Sequence, residues 1–537
     1  MRALVPLIAI LAAGPILAQP TALVNDVTVE EVAVFPGGVI RLAEHAPTGT
    51  LFVLVYSGAV LRFDPPYTGG GQEVVAPSGS GLTLPQGLAV DADGTLYMTG
   101  SVTDGPLVSA QIRKGTPDGS GYIWSTVART EFFAGTGNGY YHRLNAILPT
   151  PDGTSLIVAH GSRTDHGEVQ DFDGAAPGLR EVPVTSALLR VPIDADDVVL
   201  PNDAAALAAG GYLLADGFRN AFDLAYDADG RLYAAENAGD RDDPDELNWV
   251  REGHHYGFPW RIGTNDTPQR FPGYDPAADP LLNPILVDGE SSPFSNDPDY
   301  PAPPAGITFT DPVLNVGPDA DRYRALDRTV RDASDDGVSV GTFTPHRSPL
   351  GLTFDTAGEL PSPFTRSGFV LSWTGDDSPL LAPFGDPSED LVQLSFLDPE
   401  TVSARRVVGG FTNPIDMIQQ GRTLLVTEFS EEARLWAVRF TGAVAAEPGT
   451  ERLRALRVSP SPFRTTATVS LALDAPTTVR VEVFDVLGRP VARLHDGPLA
   501  AGAHTFVVNG RTLPPGHYTV RVVHGDETMS RPVVRVR

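Results

Sequence analysis

Between Gly217 and Trp260 the chain reads GFRNAFDLAYDADGRLYAAENAGDRDDPDELNWVREGHHYGFPW, which crowds chemically capable side chains into one stretch. Asp240, Asp242, Asp243, Asp245 and Glu246 fall in a single loop, AGDRDDPDELN. Carboxylates so close repel one another, and a cation would relieve the repulsion while gathering oxygen ligands. Just upstream, Arg219 supplies a permanently charged fork of donors and Asn220 an amide. The intervening DLAYDADGRLYAAEN alternates apolar and polar residues about Asp-Ala-Asp-Gly. That is a hairpin signature, because Asp-Gly tolerates the positive φ of a tight turn.

The same pattern of strand, short polar turn and strand recurs along the chain, in Gly38–Asp64, Gln86–Gly100, Asn145–Gly161, Phe222–Gly239, Leu350–Gly375 and Asn413–Phe440. These six copies are separated by long insertions, notably Thr264–Arg347, and fit a closed propeller better than a sandwich. Closing the ring removes the free sheet edges, and the insertions are expected on one face, shaping a mouth. The segment Asp203–Leu214 is the best short helix candidate.

GFRN, DADGRLYAAEN, DELN and HHYGFPW, in this order, resemble the soluble glucose/sorbosone dehydrogenases, quinoproteins built as six-bladed β-propellers around PQQ and calcium. The resemblance implies a fold over residues 30–440 and a sugar or related alcohol as substrate, oxidised by hydride transfer to PQQ and on to an external electron acceptor. It makes His142, in YYHRLNAILPTPDG, the general base, a task suited to a side chain titrating near neutrality. It also places Arg219 on the quinone oxygens, stabilising negative charge as hydride arrives, with Asn220 and Gln86 as cofactor contacts. Ala238 and Gly239 would hold a PQQ-bridging calcium through their carbonyls, and Asp245, Glu246 and Tyr256, the last by its carbonyl, a second, structural calcium. Well-known members place a lysine in the cofactor site. Here the sole lysine is Lys114, and His346 and Arg347 offer the cationic groups for a PQQ carboxylate. GSRTDHGEVQ, residues 161–170, resembles a segment of the sorbosone-type branch; its His166 is a rival base to His142.

The 537 residues suffice for a large core plus an accessory module. Residues 1–18, with Arg2, an apolar run and Ala18, read as a signal peptide too short to span a bilayer. With no cysteines, neither disulfides nor thiolate metal sites contribute. The 39 basic against 67 acidic residues leave a formal charge of −28, which argues against nucleic acid and anionic membranes as partners. No transmembrane segment is expected.

A composition shift at 441–451 reads as a linker, and 452–537 as short alternating strands of a small β-sandwich. SPSPFRTTATVSL, VEVFDVLGRPVARL, GAHTFVVNGRTLPPGHYTVRV and the end VVRVR resemble the C-terminal sorting domain of type IX secretion. The expectation is thus all-β: a six-bladed β-propeller followed by a C-terminal immunoglobulin-like sandwich, secreted or at the cell surface through the type IX machinery. Two other readings stay open. A non-catalytic glycan-binding propeller predicts that His142 and Arg219 do not converge on one central pocket. A calcium-dependent lactonase requires a central cage of Asn, Asp and Glu around the metal.

Overall fold

The computed structural model of the chain describes residues 19–67, 72–76, 80–119, 121–136, 139–171, 174–287, 294–338, 341–442, 453–461, 463–473, 477–485, 489–500, 502–524 and 527–536. The expected signal peptide and most of the expected linker lie outside them. The chain divides into two compact units, Met1–Gly442 and Ala443–Arg537.

Besides two short two-stranded sheets among the described residues, the first unit carries six mainly antiparallel sheets in chain order, each opened by one of the anticipated repeats. Their first strands are Val39–His45, Thr83–Val90, Leu144–Pro149, Ala221–Tyr226, Pro349–Phe354 and Pro414–Gln420. Each packs against the next, and Pro414–Gln420 returns to Val39–His45, so the six form a closed ring about one axis. Closure uses both ends of the unit: Val27–Pro36, from the start of the chain, pairs antiparallel with Glu432–Phe440 in the sixth sheet. The ring therefore locks by strand pairing rather than by a disulfide, consistent with the absence of cysteine.

Every first strand breaks register near its start, at Val39/Arg41, Thr83/Gly87, Leu144/Ile147, Ala221/Asp223, Pro349/Leu352 and Pro414/Asp416. A bulge re-aims the side chains it contains. Ile40, Phe222, Leu350 and Ile415, which fall in four of these breaks, pack together as a small apolar cluster on the axis. Gln86 and Asn145 occupy the other two breaks.

The expected helix is shorter than the sequence pattern suggests. Asp203 caps it by accepting from the Ala206 amide, it runs over Ala204–Ala209, and Gly210 ends it before the strand Leu213–Asp216 begins. Among the described residues, no helix is long and apolar enough to cross a membrane.

The second unit consists of a three-stranded sheet, Leu453–Ser459, Thr466–Leu473 and Gly502–Asn509, and a four-stranded sheet containing Thr477–Asp485, Pro490–Leu499, Gly516–His524 and Glu527–Arg535. Val469 and Leu471 of one sheet share a buried core with Val481, Val483, Val520 and Val522 of the other. Alternate residues along each strand supply that core, as period-two patterning requires.

Candidate active site

His142 sits two residues ahead of the third sheet's first strand, and Arg219 two residues ahead of the fourth's. Segment 161–163, which follows the strand Ser155–His160, runs between them. The His142 amide donates to the Ser162 carbonyl at 2.9 Å, and the Ser162 amide donates to the Arg219 carbonyl at 2.7 Å. Gly161 makes this closeness possible, because a Cβ there would stand 2.4 Å from the His142 Cβ.

The hydrogen bonds fix the histidine's tautomer. Ser162 Oγ donates its proton to the Thr164 carbonyl at 2.7 Å. Toward His142 Nδ1, at 3.2 Å, Ser162 Oγ is thus an acceptor, and the Ser162 carbonyl at 3.3 Å can only accept. Nδ1 therefore carries the proton and Nε2 keeps a free lone pair. Burial, then the Arg219 guanidinium, pushes the imidazole pKa down to about 3, so the ring is neutral at any ordinary pH.

Arg219 is oriented by Asp165: Nε donates to the Asp165 carbonyl at 2.9 Å and Nη2 to its carboxylate at 2.7 Å. Nη1 reaches the Asn237 carbonyl at 3.4 Å. Burial alone would raise the Asp165 carboxyl, but Arg219 and His166 outweigh it and hold it below the usual carboxylate range. An amide relay continues the site, with Asn145 Nδ2 donating to Asn220 Oδ1 at 2.6 Å and Asn220 Nδ2 to Asn237 Oδ1 at 2.7 Å. Asn145, Ser162, Asp165 and Asn237 therefore belong to the site alongside the residues expected from sequence. The rival base His166 lies behind Asp165, stacked on Phe294 with ring centroids 4.5 Å apart, and buried.

Gln86 lies at its strand's register break, where its carbonyl accepts from Arg41 Nε at 3.0 Å. His346 and Arg347 are engaged elsewhere. His346 Nε2 meets Asp242 at 2.7 Å, and the Arg347 guanidinium bonds Ser372, Asp386 and Asp390 while only 1% exposed. The expected cation for a cofactor carboxylate is thus an internal ion-pair centre, with no surface left for a ligand.

The acidic loop is likewise satisfied from within. Arg241 pairs with Asp243 at 2.7 Å and Asp279 at 2.8 Å, and Asp242 takes Arg324 as well as His346. Asp245 accepts from the Ala238 amide at 2.7 Å and the Ser348 amide at 2.8 Å. Glu246 accepts from Asn248 Nδ2 at 2.8 Å and from the Gly263 amide. Burial raises the Asp245 pKa to about 6 and that of Glu246 to about 7. Tyr256 stacks on Phe218 in the core between the third and fourth sheets, its hydroxyl donating to the Trp249 carbonyl at 2.6 Å. Among the described residues no group of three or more His, Asp or Glu side chains is set to hold a metal. The loop's arginine pairs fall on Asp242 and Asp243, while Asp245 and Glu246 are met by amide donors. Gly239 lies close against Asp165, where a Cβ would stand 3.0 and 3.2 Å from the two carboxylate oxygens.

Directly below the axial cluster, Arg41 crosses the ring. It donates to the Gln86 and Phe222 carbonyls, stacks over the Phe222 ring at 4.0 Å, and faces Asp416 at 3.6 Å and Asp223 at 3.8 Å. A cavity of about 480 Å3 lies on this side, lined by the far ends of the first strands, including Glu44, Tyr226 and Gln419, and by neither His142 nor Arg219.

The residues at the His142 end fit the reactive part of a planar quinone. That end brings together a neutral imidazole with a free Nε2 lone pair, a guanidinium held by Asp165 and the Asn220 amide, close to the apolar cluster of Ile40, Phe222, Leu350 and Ile415.

No family model and no curated protein matches the chain. The chain is similar to several solved structures. The soluble aldose sugar dehydrogenase of Escherichia coli, in its apo form, is 16% identical, with a TM-score of 0.49 over 77% of this chain and 99% of its own. The PQQ-bound aldose sugar dehydrogenase of Streptomyces coelicolor is 18% identical, with a TM-score of 0.45 over 78% of this chain and 100% of its own. The PQQ domain of pyranose dehydrogenase from Coprinopsis cinerea is 12% identical, with a TM-score of 0.47 over 78% and 97%. At such distances, function rests on the site itself.

Proposed function

We propose that the chain is an exported, PQQ-dependent sugar dehydrogenase, a six-bladed β-propeller with His142 as general base. The observation that carries this reading is the convergence of His142 and Arg219 on Ser162, with Asn220 beside them.

In the proposed reaction the sugar's C1 hydroxyl donates its proton to His142 Nε2 as the C1–H leaves as hydride. The anomeric carbon is thereby oxidised by two electrons, from the hemiacetal to the lactone. PQQ, when bound, would supply the hydride acceptor. Arg219 and Asn220 would hold its dione oxygens and offset negative charge there. Asp165 holds Arg219 in place, and Ser162 keeps the imidazole in its basic tautomer. The Ala238 and Gly239 carbonyls are the groups that would hold a calcium beside the cofactor. Residues 1–18 would direct export and 452–537, read as an immunoglobulin-like sandwich, would address the type IX machinery.

The test is reconstitution of the purified protein with PQQ, calcium, an artificial dye and a panel of aldoses. Dye reduction that requires added PQQ supports the reading. If PQQ at high micromolar concentration does not bind, the dehydrogenase is rejected and glycan binding takes its place.

A further inference from the structure

Three aromatic residues of the first unit have no part in the chemistry above. Tyr56 directly follows the strand Thr50–Val55, Phe429 follows Thr423–Glu428, and Trp373 follows Gly368–Ser372. In the third and fourth sheets the same position, just after the second strand, belongs to Gly161 and Asn237. The aromatics thus stand at the level of the candidate site, on sheets one, six and five of the ring.

They form a row. Tyr56 meets Phe429 edge-on with centroids 5.9 Å apart, and Phe429 meets Trp373 at 5.6 Å. Phe429 lies so close over Gly38 that a Cβ there would come within 2.6 Å of its ring. Phe429 and Trp373 pack on the axial cluster, whose Phe222 is two residues beyond Asn220. At the outer end Tyr56 is 53% exposed. An apolar path therefore runs from the polar corner of the site outward to a ring open to solvent.

We propose that Tyr56, Phe429 and Trp373 are a stacking platform for a neutral oligosaccharide whose reducing end enters the site; this rests on the proposed sugar dehydrogenase. Pyranose rings present C–H faces to aromatic surfaces and hydroxyls at their edges, and three rings in succession exceed what one sugar covers. Charge selects the class. Beside Trp373, a Cβ on Gly375 would stand 3.0 Å from an Asp377 carboxylate oxygen and 3.4 Å from one of Glu389. Glu389 is held there by the Asn413 amide at 2.8 Å, and Asn413 Nδ2 donates to the Trp373 carbonyl. These carboxylates repel uronic acids, leaving neutral glycans.

Calorimetric titration of the full chain with glucose, cellopentaose, maltopentaose, xylopentaose and a galacturonic acid pentamer tests this. At least one neutral pentaose is expected to bind tenfold or more tightly than glucose, and the acidic pentamer not at all. Tyr56→Ala, at an exposed position, should weaken that pentaose about tenfold while leaving glucose unchanged, and Tyr56→Phe should restore it. Equal affinity for glucose and all three neutral pentaoses overturns the proposal, as does a pentaose affinity indifferent to Tyr56→Ala. Binding is read without cofactor. A failure of dye reduction would therefore reject the dehydrogenase alone, whereas glucose oxidation without pentaose binding would reject the platform alone.

Discussion

Asp165 grips Arg219 twice, through its carbonyl to Nε at 2.9 Å and through its carboxylate to Nη2 at 2.7 Å. The guanidinium is thereby fixed in plane as well as in position, which a single ion pair would not achieve. Asp165→Asn keeps the shape and removes the charge. Because it leaves Arg219 buried without its anion, stability should fall by about 3–5 kcal/mol, with turnover falling alongside. Denaturant melts and dye-reduction kinetics read both quantities; a variant with wild-type turnover would show that Arg219 needs no orientation.

Gly161 is the point at which His142 and the Arg219 strand come closest. Gly161→Ala should displace the imidazole, lowering turnover by about a hundredfold for roughly an ångström of misplacement. Thermal melting should change much less, since the contact is local. Unchanged kinetics in this variant would mean that His142 moves freely.

Arg347 answers two buried aspartates, Asp386 and Asp390. Arg347→Met is expected to lose about 3–5 kcal/mol of stability by leaving buried carboxylates unpaired. PQQ affinity of the folded protein, followed by absorbance, should stay as in the wild type. A large loss of affinity at unchanged stability would instead place Arg347 on the ligand.

Below the axial cluster, burial raises the Asp416 carboxyl to about 7, with Asp223 adding to the rise and Arg41 opposing it. Since the folded value lies above the unfolded one near 4, the folded state binds the extra proton between them. Stability should therefore fall as pH rises from about 4 to about 7 and level off above. Asp416→Asn keeps an acceptor for the Leu42 amide and should flatten this slope. Thermal melts across that range decide it; an unaltered slope in the variant would assign the titration elsewhere.

Removing metal separates the two calcium positions. Asp242 and Asp243 pair with Arg324 and Arg241, and Asp245 and Glu246 are held by amide donors, all without metal, so a chelator should leave the melting temperature unchanged. A melting point that drops on chelation and recovers with calcium would show a structural ion after all.

The ring of sheets was legible because each repeat carries its own turn chemistry: Asp-Gly and its relatives mark the hairpins whatever surrounds them. The register breaks were not, because a bulge depends on the partner strand, and only folded neighbours turn Ile40, Phe222, Leu350 and Ile415 onto the axis. His142, Arg219 and Asn220 could be singled out from local motifs, yet Asp165 and Asn145 join them only through tertiary contact. Long-range pairing also engages the two cationic residues. Nothing near His346 and Arg347 in sequence announces that Asp242, Asp386 and Asp390 await them. The acidic loop looked like a metal site for the same reason, since Asp279 and Arg324 lie tens of residues away.

The central claim is that His142 takes the proton. Its most direct test is His142→Ala in the PQQ-reconstituted protein, with cofactor binding followed by absorbance and turnover by dye reduction. The account predicts full PQQ binding with turnover reduced by about 10²–10⁴, the usual contribution of a positioned base. Turnover within a few-fold of wild type, with the cofactor bound, would contradict it.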